Sequence, residues 1–270
     1  MKNIFNNTSF QLTDLLESDA EFIPLLSPED EEQMNAEELP EELAILPLRN
    51  AVLFPGVVIP ITVGRDKSIR LVKEAYRKER IIGVVSQKNP GIEDPSFTDL
   101  NTVGTVARIL KTLQMPDGNT TVIIQGMKRF RLLEMVQETP YFKARTGAFE
   151  EVIELPKDRQ FQALIQSLKD LSLQIIQKSP HIPSEASFAI KNIESPVFLI
   201  NFVSSNLNID VVEKQRLLEV KNMVERANTV LAALTKELQL LDLKNQIQNK
   251  VKIDLDKQQR DYFLDRKSVV

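Results

Sequence analysis

Residues 44–64 read AILPLRNAVLFPGVVIPITVG, and the reading of this stretch decides the fold. Short apolar runs at 44–48 and 57–63 are strand signals, and Phe54, Pro55 and Gly56 between them carry turn chemistry. Pro47 and Pro60 cannot donate to a ladder, so each must lie at an edge, a strand end or a bulge. An irregular or barrel-like sheet follows. Gly64 ends the second run, and 66–78 predicts a helix with Ile69, Val72, Lys73 and Tyr76 on one face. Asp66 sits near its start, where a carboxylate suits the exposed amides.

Working outward, strand signals resume at 81–86 (IIGVVS), and a loop covers 88–99. The runs 102–114 and 120–126 flank Met115, Pro116, Asp117, Gly118 and Asn119, a hairpin turn with Asp-Gly at its tip. Further strands are expected at 127–136 and 142–153. All eight glycines lie between Gly56 and Gly147, and the last proline is Pro196. The remainder reads as helix. Residues 158–178 place Phe161, Leu164, Leu168, Leu171 and Ile175 on one stripe. A short helix follows Ser184, Ser195-Pro196 is a helix start, and Asp210 caps a helix through Val220. Residues 223–264, without Gly or Pro, predict one helix of roughly 60 Å at 1.5 Å per residue. Ala227, Leu231, Leu234, Leu238 and Leu241 form a coiled-coil seam that Asn245 interrupts. The reading is a projecting lever, packed at its base and polar beyond; a helix folded back on the bundle is the alternative. The expected class is α+β: an acidic flexible arm (1–42), a β-rich domain (43–155), a helical bundle (156–222) and a long helix (223–270).

The net charge of −4 conceals an asymmetry, because Lys2 is the sole basic residue of 1–48 and faces twelve acids there. A mildly basic body follows the acidic arm. Residues 27–42 hold too little apolar surface to offset the entropy of ordering. The arm reads as a solubilising leader, or as a competitor with anionic partners for the basic body. No apolar run approaches the roughly 18 residues of a membrane span, and the N-terminus lacks signal-peptide features. No membrane contact is expected, and the expected location is the cytoplasm.

Chemistry-bearing motifs are sparse. With no cysteine and one histidine, His181 in a proline loop, no metal site or disulfide is expected. No Gly-Lys dipeptide exists for a phosphate loop, and no G-x-S-x-G elbow accompanies His181. No catalytic residue and no cofactor are expected in this chain. Two binding features remain. Lys128, Arg129 and Arg131 interleave with Phe130 beside Arg108 and Lys111, a pattern that suits anion or single-stranded nucleic-acid contact, DNA included. A half-buried strand produces the same alternation. Phe54, Leu113 and Met115 lie near turns and suit a shallow apolar surface for extended peptides, although core packing explains each singly.

The strings LPLRNAVLFPGVVIPITVGRDKSIRLVKEA (46–75), GTVARIL (104–110), PDGNTTVIIQGMKRFRL (116–132), KQRLLEV (214–220) and DKQQRDYFL (256–264) closely resemble the N-terminal region of the ATP-dependent Lon proteases. The resemblance implies a PUA-like pseudo-barrel, a helical bundle and a long helix leading to an ATPase ring. It further implies a homohexameric parent enzyme, using ATP and Mg, whose N-terminal region holds unfolded or degron-bearing proteins for a Ser-Lys protease. Those ATPase and protease modules have no counterpart here, so the chain is expected to be an N-terminal piece, monomeric or dimeric by itself. Residues 265–270 do not match the glutamine-rich helix expected there. For substrate contact the expectation is the corner Arg65, Asp66 and Lys67, with Phe54, Leu113 and Met115. The alternatives are a PUA-like nucleic-acid module and a free-standing Lon-like adaptor.

Overall fold

The computed structural model describes residues 31, 34, 36, 38–115, 120–152, 158–179, 182 and 185–267, without the side chains of 254 and 256–267. The 116–119 turn, Pro156, His181, Ser184, residues 268–270 and most of the acidic arm lie outside the described residues.

The chain runs β1 (Glu42–Leu48), β2 (Val58–Val63), α1 (Asp66–Arg77), β3 (Ile81–Ser86), β4 (Val103–Gln114), β5 (Thr120–Gln137) and β6 (Lys143–Ala148). Five helices follow: α2 (Arg159–Lys178), α3 (Glu185–Asn192), α4 (Pro196–Asn206), α5 (Val211–Glu219) and α6 (Met223–Lys267). The six strands form one sheet, ordered β2-β5-β4-β3-β1-β6. β5 also pairs with β6, so the sheet closes on itself and leaves β2 outside the ring. β1 and β3 are parallel and every other pairing is antiparallel.

Local chemistry explains the stretch 44–64. Val57 N donates to Phe54 O at 3.2 Å, and Gly56 has φ 80°, so Pro55-Gly56 forms a type II turn. Gly56 N donates to Gly126 O, and Gly126 N donates to Val57 O, each at 2.9 Å. This is a bulge with glycine at its left-handed position. It sets the phase of β2 against β5: Val57, Ile59, Ile61 and Val63 face the ladder, while Val58, Pro60 and Thr62 face away. Pro60 therefore lacks its N–H where no β5 bond is missed. Pro47 obeys the same logic. Ile45 N donates to Phe142 O at 2.8 Å, so alternate amides of β1 point toward β6, and Pro47 lies past the last β6 pairing at Ala44.

Several expectations are corrected. The runs 120–126 and 127–136 are one strand of 18 residues, which bends through register shifts instead of breaking. β6 stops at Ala148, and Val152 bridges to Asn222. The buried residues of α1 are Ser68, Leu71 and Val72, with Lys73 exposed. Asp66 lies in the first turn, but Arg65 is the N-cap and no side chain caps the helix. Within the arm, Met34 packs against the helical core and Leu39 against the sheet interior, because these apolar residues interrupt the acidic run.

Three helix starts behave as their sequences dictate. Asp158, Ser195 and Asp210 accept from Phe161 N, Phe198 N and Glu213 N at 2.8, 3.1 and 2.7 Å, each cap contributing about 1 kcal/mol. The helical core is shared with the sheet part, since Val52, Phe54, Val57 and Val103 join Leu168, Leu199, Leu218 and Val230 in one buried cluster. The five seam residues of α6 belong to that cluster or pack against it, so the seam closes on the bundle. Beyond it α6 is not wholly polar: Leu243, Ile247 and Val251 are exposed. Among the described residues no helix is long and apolar enough to cross a membrane.

Candidate functional site

β2 ends at Val63, and the chain turns through Gly64 into α1, which fixes Arg65 and Lys67 at a corner. Arg65 Nη2 donates to Gln87 Oε1 at 2.8 Å, and Gln87 Nε2 donates to Ile92 O at 2.9 Å. Lys67 Nζ lies 3.5 Å from Asp94 Oδ2 and 5.7 Å from the centre of the Phe142 ring. Arg65, Lys67 and Asp94 line a cleft together with Ile45, Pro47 and Phe142. Asp66 and Lys67 also border an adjoining depression with Arg70, Thr139 and Pro140. Burial lowers the Arg65 pKa, Arg49 adds to that, and Asp94 and Glu93 oppose it. The corner thus presents charge around apolar side chains, an arrangement that suits polypeptide contact.

A second surface lies on the outer side of β2, β5 and β4. Strand register places Thr62, Thr121 and Leu113 in one row, Pro60, Ile123 and Lys111 in the next, and Val58, Gln125 and Arg108 in a third. Residues directly opposite in neighbouring strands share a face. Leu110, skipped by the register shift between Ile109 and Lys111, is 37% exposed. Leu113 and Met115 are half-buried. This face therefore mixes apolar groups with the basic Arg108 and Lys111.

Two sequence-predicted residues take other places. Phe54, expected on an apolar surface, is 0% exposed and belongs to the shared core. Its backbone approaches Gly126 so closely that a Cβ there would lie 2.3 Å from Phe54 O. Arg129, expected to contact anions, is 3% exposed and points inward. Its Nη1 donates to Leu218 O and to Val220 O, the latter at 2.8 Å, and its Nη2 pairs with Glu151. Of the same basic group, Lys128 is half-buried, and Arg131 is exposed with its guanidinium 5.9 Å from the Phe149 ring centre.

Arg226, which the sequence reading did not single out, completes this buried network. It is 0% exposed; Nη1 donates to Asn201 Oδ1 at 2.7 Å and Nη2 to Val220 O at 2.9 Å. Burial pushes its pKa down to about 9, with Arg129 adding to the effect and Glu151 opposing it. A signal existed, since Arg226 interrupts the apolar stripe Met223, Ala227, Val230 and Leu234 of α6.

Sheet, bundle and corner define a mixed α+β module of six strands and, among the described residues, six helices. Residues 42–236 match the family described as the ATP-dependent protease La (LON) substrate-binding domain. The chain is 59% identical over 259 residues to the Lon protease of Flavobacterium johnsoniae, a match covering 96% of this chain and 31% of the relative. It is 50% identical over 244 residues to that of Cytophaga hutchinsonii, covering 90% and 30%. The chain thus spans less than a third of the length of these relatives. Its fold is similar to the N terminal domain of Mycobacterium avium complex Lon protease, with TM-score 0.59 and 18% identity over 72% of this chain and 98% of that one. It is also similar to a Lon N-terminal domain protein from Xanthomonas campestris, with TM-score 0.51 and 18% identity over 71% and 97%. The chain belongs to the Lon substrate-binding domain family.

Proposed function

We propose that this chain is the substrate-recognition and assembly region of an ATP-dependent Lon-type serine protease, and that it captures unfolded or degron-bearing proteins for the parent enzyme. The observation that carries this reading is the family match over residues 42–236. In this reading the closed sheet is a PUA-like capture module spanning 43–155. The bundle of 156–222 and the projecting part of α6 link it toward an ATPase ring, whose ATP and Mg belong to the parent. The parent is a cytoplasmic hexamer, and the separate chain is a monomer or a dimer through α6. The corner Arg65, Asp66 and Lys67, together with Leu113 and Met115, supplies the capture surface.

The test is fluorescence anisotropy of a labelled, permanently unfolded protein titrated with the chain at low and moderate salt, with single-stranded DNA as competitor. Apolar and hydrogen-bonded capture gives binding that tolerates salt and resists DNA, whereas phosphate contact loses affinity steeply with salt. The charge reversal Lys67→Glu, which leaves the Arg65–Gln87 bond in place, is expected to weaken capture with little effect on Tm. Equal binding by that variant removes the corner from the site, and displacement by DNA overturns the reading.

A further inference from the structure

β2 is an edge strand whose outer side pairs with no other strand among the described residues. The bulge at Gly56 fixes which backbone groups face that side: the N–H and C=O of Val58 and Thr62, and the C=O of Pro60. The side chains of this row are open as well, with Thr62 exposed and Val58 and Pro60 half-buried, while Ile61 and Val63 fill the core beneath. An exposed edge of this kind is a template for strand addition.

We propose that β2 captures an extended segment of an unfolded polypeptide as an added strand, hydrogen-bonded to the outward groups of Val58, Pro60 and Thr62. The captured side chains alternate, every second one lying on the outer face beside Val58, Pro60 and Thr62, in line with Ile123 and Leu113. Backbone pairing makes the capture tolerant of sequence, and the outer face favours apolar side chains. This inference rests on the substrate-recognition reading and names the chemistry by which it works.

Pro60 decides between two occupants. In an antiparallel pair of two β2 strands centred on residue 60, the prolines would face each other, and both donors of the central bonded pair would be missing. A foreign chain with an ordinary residue at that point loses only one bond. The edge therefore discourages self-pairing and still accepts an unfolded chain, and the missing donor keeps the complex weak enough to be released.

The decisive experiment uses fluorescein-labelled, reduced and carboxymethylated lactalbumin, with amide hydrogen exchange and anisotropy as readouts. Saturation with this probe is expected to slow exchange at Val58 and Thr62 and leave Ile59, Ile61 and Val63, already bonded to β5, unchanged. Thr62→Pro removes an outward donor without touching the β5 ladder and is expected to weaken binding about tenfold, the value of one lost hydrogen bond with its partner unsatisfied. Thr62→Ser retains wild-type affinity, and Pro60→Val, which supplies the missing donor, binds more tightly. Wild-type affinity in a folded Thr62→Pro variant, or protection at Val58 and Thr62 absent from the saturated complex, overturns strand addition. If Thr62→Pro fails to fold, the exchange experiment on the wild type decides alone. No binding of the probe by the wild type removes the recognition reading itself, a result distinct from wild-type binding without edge protection.

Discussion

Arg129 of β5 and Arg226 of α6 both donate to the carbonyl oxygen of Val220, at 2.8 and 2.9 Å. Glu151 pairs with Arg129 and lies 3.9 Å from Arg226. Two buried guanidinium groups thus share one carbonyl and one carboxylate where the sheet meets the helices. The arrangement satisfies the α5 C-terminal carbonyl of Leu218 and the connection into α6, and it fixes where α6 begins relative to β5.

Removing the shared carboxylate of Glu151 leaves both guanidinium groups buried without their counter-charge. Glu151→Leu is expected to destabilise the protein by about 3 kcal/mol in urea unfolding. The triple replacement Arg129→Met, Glu151→Leu and Arg226→Met strands no charge and is expected to lie nearer the wild type than the single variant. A single variant within about 0.5 kcal/mol of wild type, the range of an unremarkable surface change, rules out the clamp.

The clamp also has a pH signature. The folded-state pKa of Arg226 is about 9, well below the ordinary arginine value, so between the two the folded chain has released a proton that the unfolded chain retains. Unfolding then takes up a proton, and stability rises with pH in that window. Below about 9 both states are charged and the contribution is flat. The difference in unfolding free energy between wild type and Arg226→Met should be constant from about pH 7 to 8. Above about pH 9 it should shift in favour of the wild type, by no more than about 1.4 kcal/mol per pH unit. An equal difference at pH 7.5 and pH 10 contradicts the lowered pKa.

Glycine substitutions at the β2 turn separate two kinds of backbone demand. Gly56→Ala forces a side chain into φ 80° and is expected to cost about 1–2 kcal/mol. Gly126→Ala places a Cβ 2.3 Å from Phe54 O, a backbone atom that moves only with the whole turn, so its loss of Tm should be the larger. The reverse order in a thermal melt would show that the close approach of Gly126 to Phe54 relaxes more easily than the left-handed turn at Gly56.

Much of this architecture was legible because its signals are local. Pro47 and Pro60 each excluded a central ladder position, and each sits where its missing N–H faces away from the paired neighbour. Ser195 and Asp210 announced helix starts, because a capping side chain acts within three residues. What escaped was long-range. Arg129 belonged to a basic alternation that faces water by default, and only Leu218, Val220 and Glu151 turn it inward. Phe54 read as a turn residue because its burial depends on the approach of Gly126 from a distant strand. The corner was proposed from charge at a helix start, and its contacts with Gln87 and Asp94 had no sequence signal.

The long helix offers the sharpest contrast between positions that look alike in sequence. Leu234 is 4% exposed and packs in the shared core, whereas Ile247 is 55% exposed on the same helix. Both are large aliphatic residues within α6, so helix propensity alone assigns them similar values. Burial separates them. Leu234→Ala removes core packing and leaves a cavity between α6 and the bundle, at an expected cost of 2–5 kcal/mol, order of magnitude. Ile247→Gln replaces a side chain already in water and is expected to change stability by less than about 0.5 kcal/mol. Urea unfolding at low protein concentration, where self-association is absent, measures both. If Ile247→Gln proves as costly as Leu234→Ala, the outer half of α6 is held by contacts within the molecule. If it is neutral and also reduces self-association in sedimentation at high concentration, its apolar residues serve a second copy of the chain.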